Sequence, residues 1–344
     1  GIGIVVTAIA VLPALGVGGM QLFRAEALEQ NEKVLPRAAQ IATGIGGIYL
    51  GGTIFIAGLY WAFGMNGFDA VTHAMTTIST GGYANYDSSF GVYEGATIPL
   101  IATLGMVLGS LPFVAYLKAM RVSMRSALRD PQIRGFFVGM GAFTLFVVVF
   151  RPWEGWDNAP EFVAQSMFNV VSIMTGTGYV HGDFETWGPF TQPFFLLLMF
   201  IGGCAGSTTC AIKIFRFQVL FAASQSQLRR LARPHRVAPA RYAGKALTPE
   251  TINSVMAFFF LYIVCYAALA IGLSVTGVEG ITAISAAATA ISNVGPGLGP
   301  EVGPSGNFAG LPASAKWLLS IGMLAGRLEL FTVLILLTPR FWRN

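Results

Sequence analysis

Three times along this chain an apolar stretch of about 13 to 15 residues, over 68–80, 161–175 and 279–292, runs straight into a turn rich in glycine. A helix needs roughly 20 apolar residues to cross about 30 Å of hydrocarbon, so none of the three can span a bilayer. Each lies between longer apolar stretches, expected as helical spans at about 1–19, 40–63, 96–117, 135–150, 192–213, 251–276 and 316–338. Such a short helix returns to the side it entered from. Backbone that leaves the helix at membrane depth is tolerated only where it is buried in protein or lines water. The repeated unit therefore reads as span, re-entrant half-helix, turn, span.

Composition agrees with a bilayer location. Residues are 54% hydrophobic and 11% charged, against about 25% charged in an ordinary globular domain. The connections alternate in charge. Lys33 and Arg37, then Lys118, Arg121, Arg125, Arg129 and Arg134, then eight Lys or Arg over 213–245, then Arg340 and Arg343 fall on one side; with Arg24 they make 18 of the 21 basic residues. By the positive-inside rule that side is cytoplasmic. The opposite loops carry Asp69, Asp87, Glu94, Glu154, Asp157, Glu161, Asp183, Glu185, Glu279 and Glu301. That acidity suits either a cation-attracting mouth or plain solubility of the outer loops.

The turns are Ser79-Thr80-Gly81-Gly82-Tyr83, Thr175-Gly176-Thr177-Gly178-Tyr179 and Ser292-Asn293-Val294-Gly295-Pro296-Gly297-Leu298-Gly299. Glycine permits positive φ, and a ring of backbone carbonyls can replace the hydration shell of K⁺. The C-terminal ends of the half-helices add partial negative charge. None of the turns holds a carboxylate, which argues against a divalent-cation site. The cysteines Cys204, Cys210 and Cys265 form no metal-ligand spacing and read as small packing residues.

These turns, together with Ile201-Gly202-Gly203-Cys204-Ala205-Gly206-Ser207-Thr208 and Met323-Leu324-Ala325-Gly326-Arg327-Leu328-Glu329-Leu330-Phe331-Thr332, resemble the Trk/Ktr/HKT superfamily, nearest its TrkH branch. The resemblance covers the whole chain. It implies an all-α integral membrane protein of repeated span, pore helix, span units around a central pore. Three complete repeats and the end of the first are expected: 1–39 as the last span of repeat one and its cytoplasmic linker, 40–133 as repeat two, 134–245 as repeat three with a broken inner helix and basic linker, and 246–344 as repeat four. On this reading the chain is truncated at its N-terminus and the first turn lies upstream.

Residue by residue, the resemblance implies a K⁺ filter built from Thr80, Gly81 and Gly82, from Gly176, Thr177 and Gly178, and from Asn293, Val294 and Gly295. It implies a gate beneath, formed by Gly202, Gly203, Cys204, Ala205, Gly206, Ser207 and Thr208, with Arg327 in the pathway. A run of small residues there also suits close helix packing. Thr209-Cys210-Ala211 stands where the family usually carries glycines. Arg327 sits in an apolar stretch where a charge costs roughly 2.5 to 3.5 kcal/mol; a pair with Glu329, two residues on, is disfavoured by helix geometry.

The implied function is the pore-forming subunit of a K⁺ uptake system in the inner, or plasma, membrane, with K⁺ as the transported ion and no organic cofactor. Implied partners are membrane lipid, a second copy in a homodimer, and a cytoplasmic nucleotide-binding regulatory subunit of the TrkA type; no nucleic acid is expected. A Na⁺-permeable relative is the alternative, and glycine at Gly82, Gly178 and Gly295 favours K⁺. An intramembrane enzyme using His73, Asp69 or Glu329 is a further alternative, but these lie scattered rather than paired. His73, His181 and His235 each stand alone and are expected to be structural or solvated, with His73 the only one placed to influence the pore.

Overall fold

The computed structural model describes residues 38–328, apart from 122, 124, 126–127, 154, 156–158 and 234–237. The expected first span at 1–19, most of the segment 1–39, His235, Glu329 and the chain beyond it lie outside the described residues. The described chain is helical apart from a two-stranded hairpin, and it divides into two compact units.

The first unit holds residues up to His181 together with Gly203–Thr209. Its helices are α1 (Ala38–Ala62), α2 (Gly67–Ile78), α3 (Thr97–Ser110), α4 (Phe113–Arg121), α5 (Pro131–Phe150) and α6 (Ala159–Met174). Sequence accounts for several of these ends. Asn66 caps α2, its side chain accepting from the Asp69 amide at 2.8 Å, which satisfies one of the N–H groups a helix start leaves open. Asp130 caps α5 with Pro131 at the first helical position, where a missing N–H costs nothing.

α1 and α5 are long and apolar enough to cross a membrane. Their large side chains, such as Ile54, Phe55, Leu145 and Val149, point outward, as expected where the surroundings are lipid rather than water. The interior lies where α2 and α6 pack between the longer helices, around Ile56, Tyr60, Ile78, Phe90, Met106, Phe168, Val171 and Tyr179.

The expected single span over 96–117 is not continuous. α3 and α4 meet at an 88° bend over Leu111 and Pro112. Proline has no N–H to give and disfavours helical backbone in the residue before it; Leu111 is extended accordingly, with φ −83° and ψ 152°.

The second unit comprises Gly182–Gly202 and the chain from Cys210 onward. It contains α7 (Thr191–Leu198), α8 (Ile214–Ala232), the hairpin of β1 (Arg241–Tyr242) and β2 (Lys245–Ala246), α9 (Pro249–Val275), α10 (Gly280–Ser292) and α11 (Ala313–Arg327). α9 is the long apolar helix of this unit and starts at a Thr248 cap followed by Pro249. α10 is almost all alanine and small residues on its packed faces, which lets α9 and α11 approach it closely. Leu273, Ala283, Ala286, Ala287, Val302, Leu311 and Leu319 form the core there. The expected span over 192–213 is helical only through Leu198, and much of the basic linker is the helix α8.

Candidate functional site

The half-helices end close to their expected positions: α2 at Ile78, α6 at Met174 and α10 at Ser292. Beyond each end the backbone takes the same form. φ is positive at Thr80 (48°) and Gly82 (70°), at Gly176 (68°) and Gly178 (81°), and at Asn293 (53°) and Gly295 (126°), always two residues apart. An ordinary extended chain points successive carbonyls to opposite sides. Reversing the sign of φ at every second residue turns them toward one side instead, which is the geometry a carbonyl-lined ion path requires. Four of the six positions belong to glycine, for which positive φ carries no steric penalty; Thr80 and Asn293 do not, and a β-branched residue there is a true outlier.

Amides of these turns are occupied from behind. Gly81 donates to the Thr76 carbonyl at 2.8 Å, Thr177 to Ser172 at 2.9 Å and Val294 to Thr289 at 3.0 Å, so each turn folds back on the last carbonyls of its own helix. In the third turn Gly295 also donates to the Thr289 hydroxyl at 2.7 Å, and Ser285 both accepts from Leu298 N–H at 2.8 Å and donates to its carbonyl at 3.0 Å. A hydrogen-bonded amide is one that does not compete for the path.

The first unit brings two turns directly together. A Cβ on Gly82 would stand 1.7 Å from the Thr177 carbonyl oxygen, so the backbones touch there with no room for a side chain. The third turn belongs to the second unit.

The stretch after α7 is irregular from Met199 to Lys213 and is divided between the units: Gly203–Thr209 belong to the first, the flanking residues to the second. In the first unit this segment repairs the α3–α4 break. Cys204 N–H donates to the Ser110 carbonyl at 3.2 Å, and Phe113 N–H donates to the Gly206 carbonyl at 3.0 Å, so the backbone groups that the bend releases find partners. Gln132 on α5 accepts from the Ala205 amide at 2.8 Å. Thr208 is buried. Its hydroxyl lies 3.1 Å from the Ile78 carbonyl, 3.0 Å from Gly109 and 3.2 Å from the Thr80 hydroxyl, which joins this segment to the base of the turn at Thr80.

In the second unit the segment's two ends pair with each other, Gly202 N–H donating to the Ile212 carbonyl at 2.6 Å and Ile212 N–H to Phe200 at 3.2 Å. Ala211, with φ 57°, donates to the Ser292 carbonyl at 3.0 Å. Arg327 ends α11, and its guanidinium donates to the Cys210 sulfur at 2.7 Å. Cys210 thus does more than pack. Beside it, a Cβ on Gly326 would lie 1.8 Å from the Ile291 carbonyl, so α11 meets the end of α10 backbone to backbone.

Of the histidines, His73 is fully buried on α2 with Nδ1 2.8 Å from the Asp69 carbonyl, and His181 is buried with Nδ1 3.1 Å from the Phe90 carbonyl. Asp69 lies in the first turn of α2, where its carboxylate accepts from Asn66, Asn85 and Tyr86 at 2.6, 2.6 and 2.8 Å. Burial alone would raise its pKa, but these three hydrogen bonds together hold it below the usual aspartate value. Among the described residues no group of three or more His, Cys, Asp or Glu gathers.

With this geometry stands a match of the sequence to the TrkH family, described as cation transport protein, over residues 1–154 and 155–343. The chain belongs to the TrkH family. It is 47% identical over 347 residues to the Trk system potassium uptake protein TrkI of Halomonas elongata, a match covering all of this chain and 70% of that one. It is 37% identical over 350 residues to the Trk system potassium uptake protein TrkH of Vibrio parahaemolyticus, covering all of this chain and 72% of the relative. The crystal structure of the potassium transporter TrkH from Vibrio parahaemolyticus superposes with a TM-score of 0.84 at 33% identity, over 99% of this chain and 70% of that chain. This chain shares that fold and is a mostly helical, multi-pass membrane protein.

Three features of the site had no sequence signal beyond residue type: positive φ at Thr80 and Asn293, the triple contact of Thr208, and the pairing of Cys210 with Arg327.

Proposed function

We propose that this TrkH-family chain forms most of the pore of a K⁺ uptake system in the plasma membrane, conducting K⁺ as its transported substrate rather than catalysing a reaction. The observation that carries this is the alternation of φ at Thr80 and Gly82, Gly176 and Gly178, and Asn293 and Gly295, each at the end of a packed half-helix and each free of carboxylate. Carbonyl oxygens held this way suit a weakly hydrated monovalent cation. The names of the relatives, potassium uptake and potassium transporter, support K⁺. Thr80, Gly81, Gly82, Gly176, Thr177, Gly178, Asn293, Val294 and Gly295 are the filter residues on this reading.

Gly202, Gly203, Cys204, Ala205, Gly206, Ser207 and Thr208 form the gate beneath. Arg327 adds a fixed positive charge that raises the barrier to cations. Repeats two, three and four run over 40–133, 134–245 and 246–344, with 1–39 ending the first. The relatives are named as parts of a Trk system, which supports assembly with other components. The basic stretch over 213–245 is the docking place for a nucleotide-binding regulatory subunit of the TrkA type, and the pore subunit works as a homodimer.

The test is Rb⁺ uptake by the full-length protein, with its regulatory subunit, in K⁺-starved cells lacking their own K⁺ uptake systems. Saturable uptake displaced by K⁺ far better than by Na⁺ is expected. Absence of uptake despite normal membrane expression would refute the proposal.

A further inference from the structure

Two of the turns close on a tyrosine, and the two tyrosines behave differently. The Tyr83 side chain is 79% exposed, whereas Tyr179 is fully buried. The Tyr179 ring packs against Phe90, with centroids 4.4 Å apart, and beside Phe168 and His73. Its hydroxyl reaches α2, lying 2.6 Å from the Thr76 hydroxyl, 3.2 Å from the Thr77 hydroxyl and 3.2 Å from the His73 carbonyl. Its carbonyl is pinned as well, accepting from the Ser172 hydroxyl at 2.7 Å. Both ends of this residue are therefore fixed, one in its own repeat and one in the repeat before.

The Thr76 hydroxyl joins the two tyrosines. Either hydroxyl can donate in its 2.6 Å contact with Tyr179, whose single proton has the His73 carbonyl as another acceptor. Thr76 also donates to the Tyr83 carbonyl, 2.8 Å away. The result is a relay from the residue after Gly178 to the residue after Gly82. It spans the two turns whose backbones touch at Gly82 and Thr177. A buried hydroxyl that loses its partner carries the full cost of desolvation, so this relay fixes a spacing rather than merely filling space.

We infer that the Tyr179 hydroxyl is a specificity-determining strut, a positioning residue that holds the turns at 80–82 and 176–178 at the separation that discriminates K⁺ from Na⁺. The inference rests on the proposed filter role of these turns. Two cations of equal charge differ in the carbonyl spacing they accept, so a strut that acts on spacing acts on selectivity before it acts on throughput.

The experiment measures Rb⁺ uptake by the full-length system and the ratio of Na⁺ to K⁺ concentrations that halve it. Tyr179→Phe keeps the ring and removes the relay. It is expected to transport Rb⁺ and to shift that ratio toward Na⁺ by about five- to tenfold, the factor that one net hydrogen bond carries. Thr76→Val cuts the middle of the relay and is expected to give the same shift. Tyr60→Phe removes a different buried hydroxyl, 2.9 Å from Thr77 on the same cluster, and is expected to lower stability while leaving the ratio alone.

A ratio unchanged within twofold in Tyr179→Phe at normal membrane expression overturns the strut while the filter reading stands. A shift in Tyr60→Phe equal to that in Tyr179→Phe also overturns it, because the effect would then be general loosening. If neither Tyr179→Phe nor Thr76→Val reaches the membrane, the role is purely one of folding and the inference fails. Absence of uptake by the unmodified system instead removes the filter reading itself.

Discussion

Thr80 holds a backbone conformation that a β-branched residue normally avoids, with φ 48°, and the sequence carried no mark of it. Glycine advertised Gly82, Gly176, Gly178 and Gly295 as turn positions; threonine and asparagine could not advertise Thr80 and Asn293. At Gly82 the demand is double. Alanine there would face both φ 70° and a carbonyl oxygen 1.7 Å from its Cβ. Left-handed backbone alone costs about 1 to 2 kcal/mol for a residue with a Cβ, so Gly82→Ala is expected to abolish Rb⁺ uptake. Gly47, on α1 with nothing within 4 Å of its Cβ, is the contrast: Gly47→Ala should leave uptake intact and raise stability by up to about 1 kcal/mol, read as a small rise in the melting temperature of the detergent-purified protein.

Asp69 supplies the pH dependence at this scale. Its folded pKa lies below its unfolded one, so its contribution is fully present above the unfolded value, about 3.9, and is lost as pH falls through the lower folded value. Melting temperature should therefore be insensitive to this group from pH 7 to 5 and drop below about pH 4. Asp69→Asn should flatten that acid limb; an unchanged limb would refute the assignment.

Among the elements, the half-helices were legible because length and glycine act together. Stretches over 68–80, 161–175 and 279–292 became Gly67–Ile78, Ala159–Met174 and Gly280–Ser292. The break between α3 and α4 was not, although Pro112 stood in plain view. A proline inside an apolar run either kinks a span or ends it, and the choice was made by residues about ninety positions later, which bond to Ser110 and Phe113. Separations of 99 to 130 residues likewise hid the contacts of Thr208. Thr208→Val removes its hydroxyl contacts with Ile78, Gly109 and Thr80 while keeping its shape, and is expected to loosen the segment over 203–209. Basal Rb⁺ leak should rise several-fold with little change in K⁺ preference; equal leak at equal expression would count against a gate there.

For the molecule as a whole, charge along the chain suggested a sidedness, while the partition into compact units left no trace in the sequence. Hydropathy and the positive-inside rule speak of sides of a membrane, whereas the units follow contacts such as those that assign 203–209 to one and its flanks to the other. Orientation can be tested within the second unit, where Arg230 and Glu301 are both exposed. In a background without native cysteines, Arg230→Cys should react with an impermeant maleimide only in inside-out vesicles and Glu301→Cys only in right-side-out ones. The reverse pattern would invert the topology.

The bend at Leu111 and Pro112 also sets a timetable. Ser110 and Phe113 leave the ribosome about ninety residues before Cys204 and Gly206, and at roughly 5 to 20 residues per second this is an interval of about 5 to 20 seconds. During it the backbone groups released at the bend lack the partners they hold in the finished protein. Until the later segment arrives the surroundings have to satisfy them, so the half-made protein depends on its environment at a point where the finished one does not.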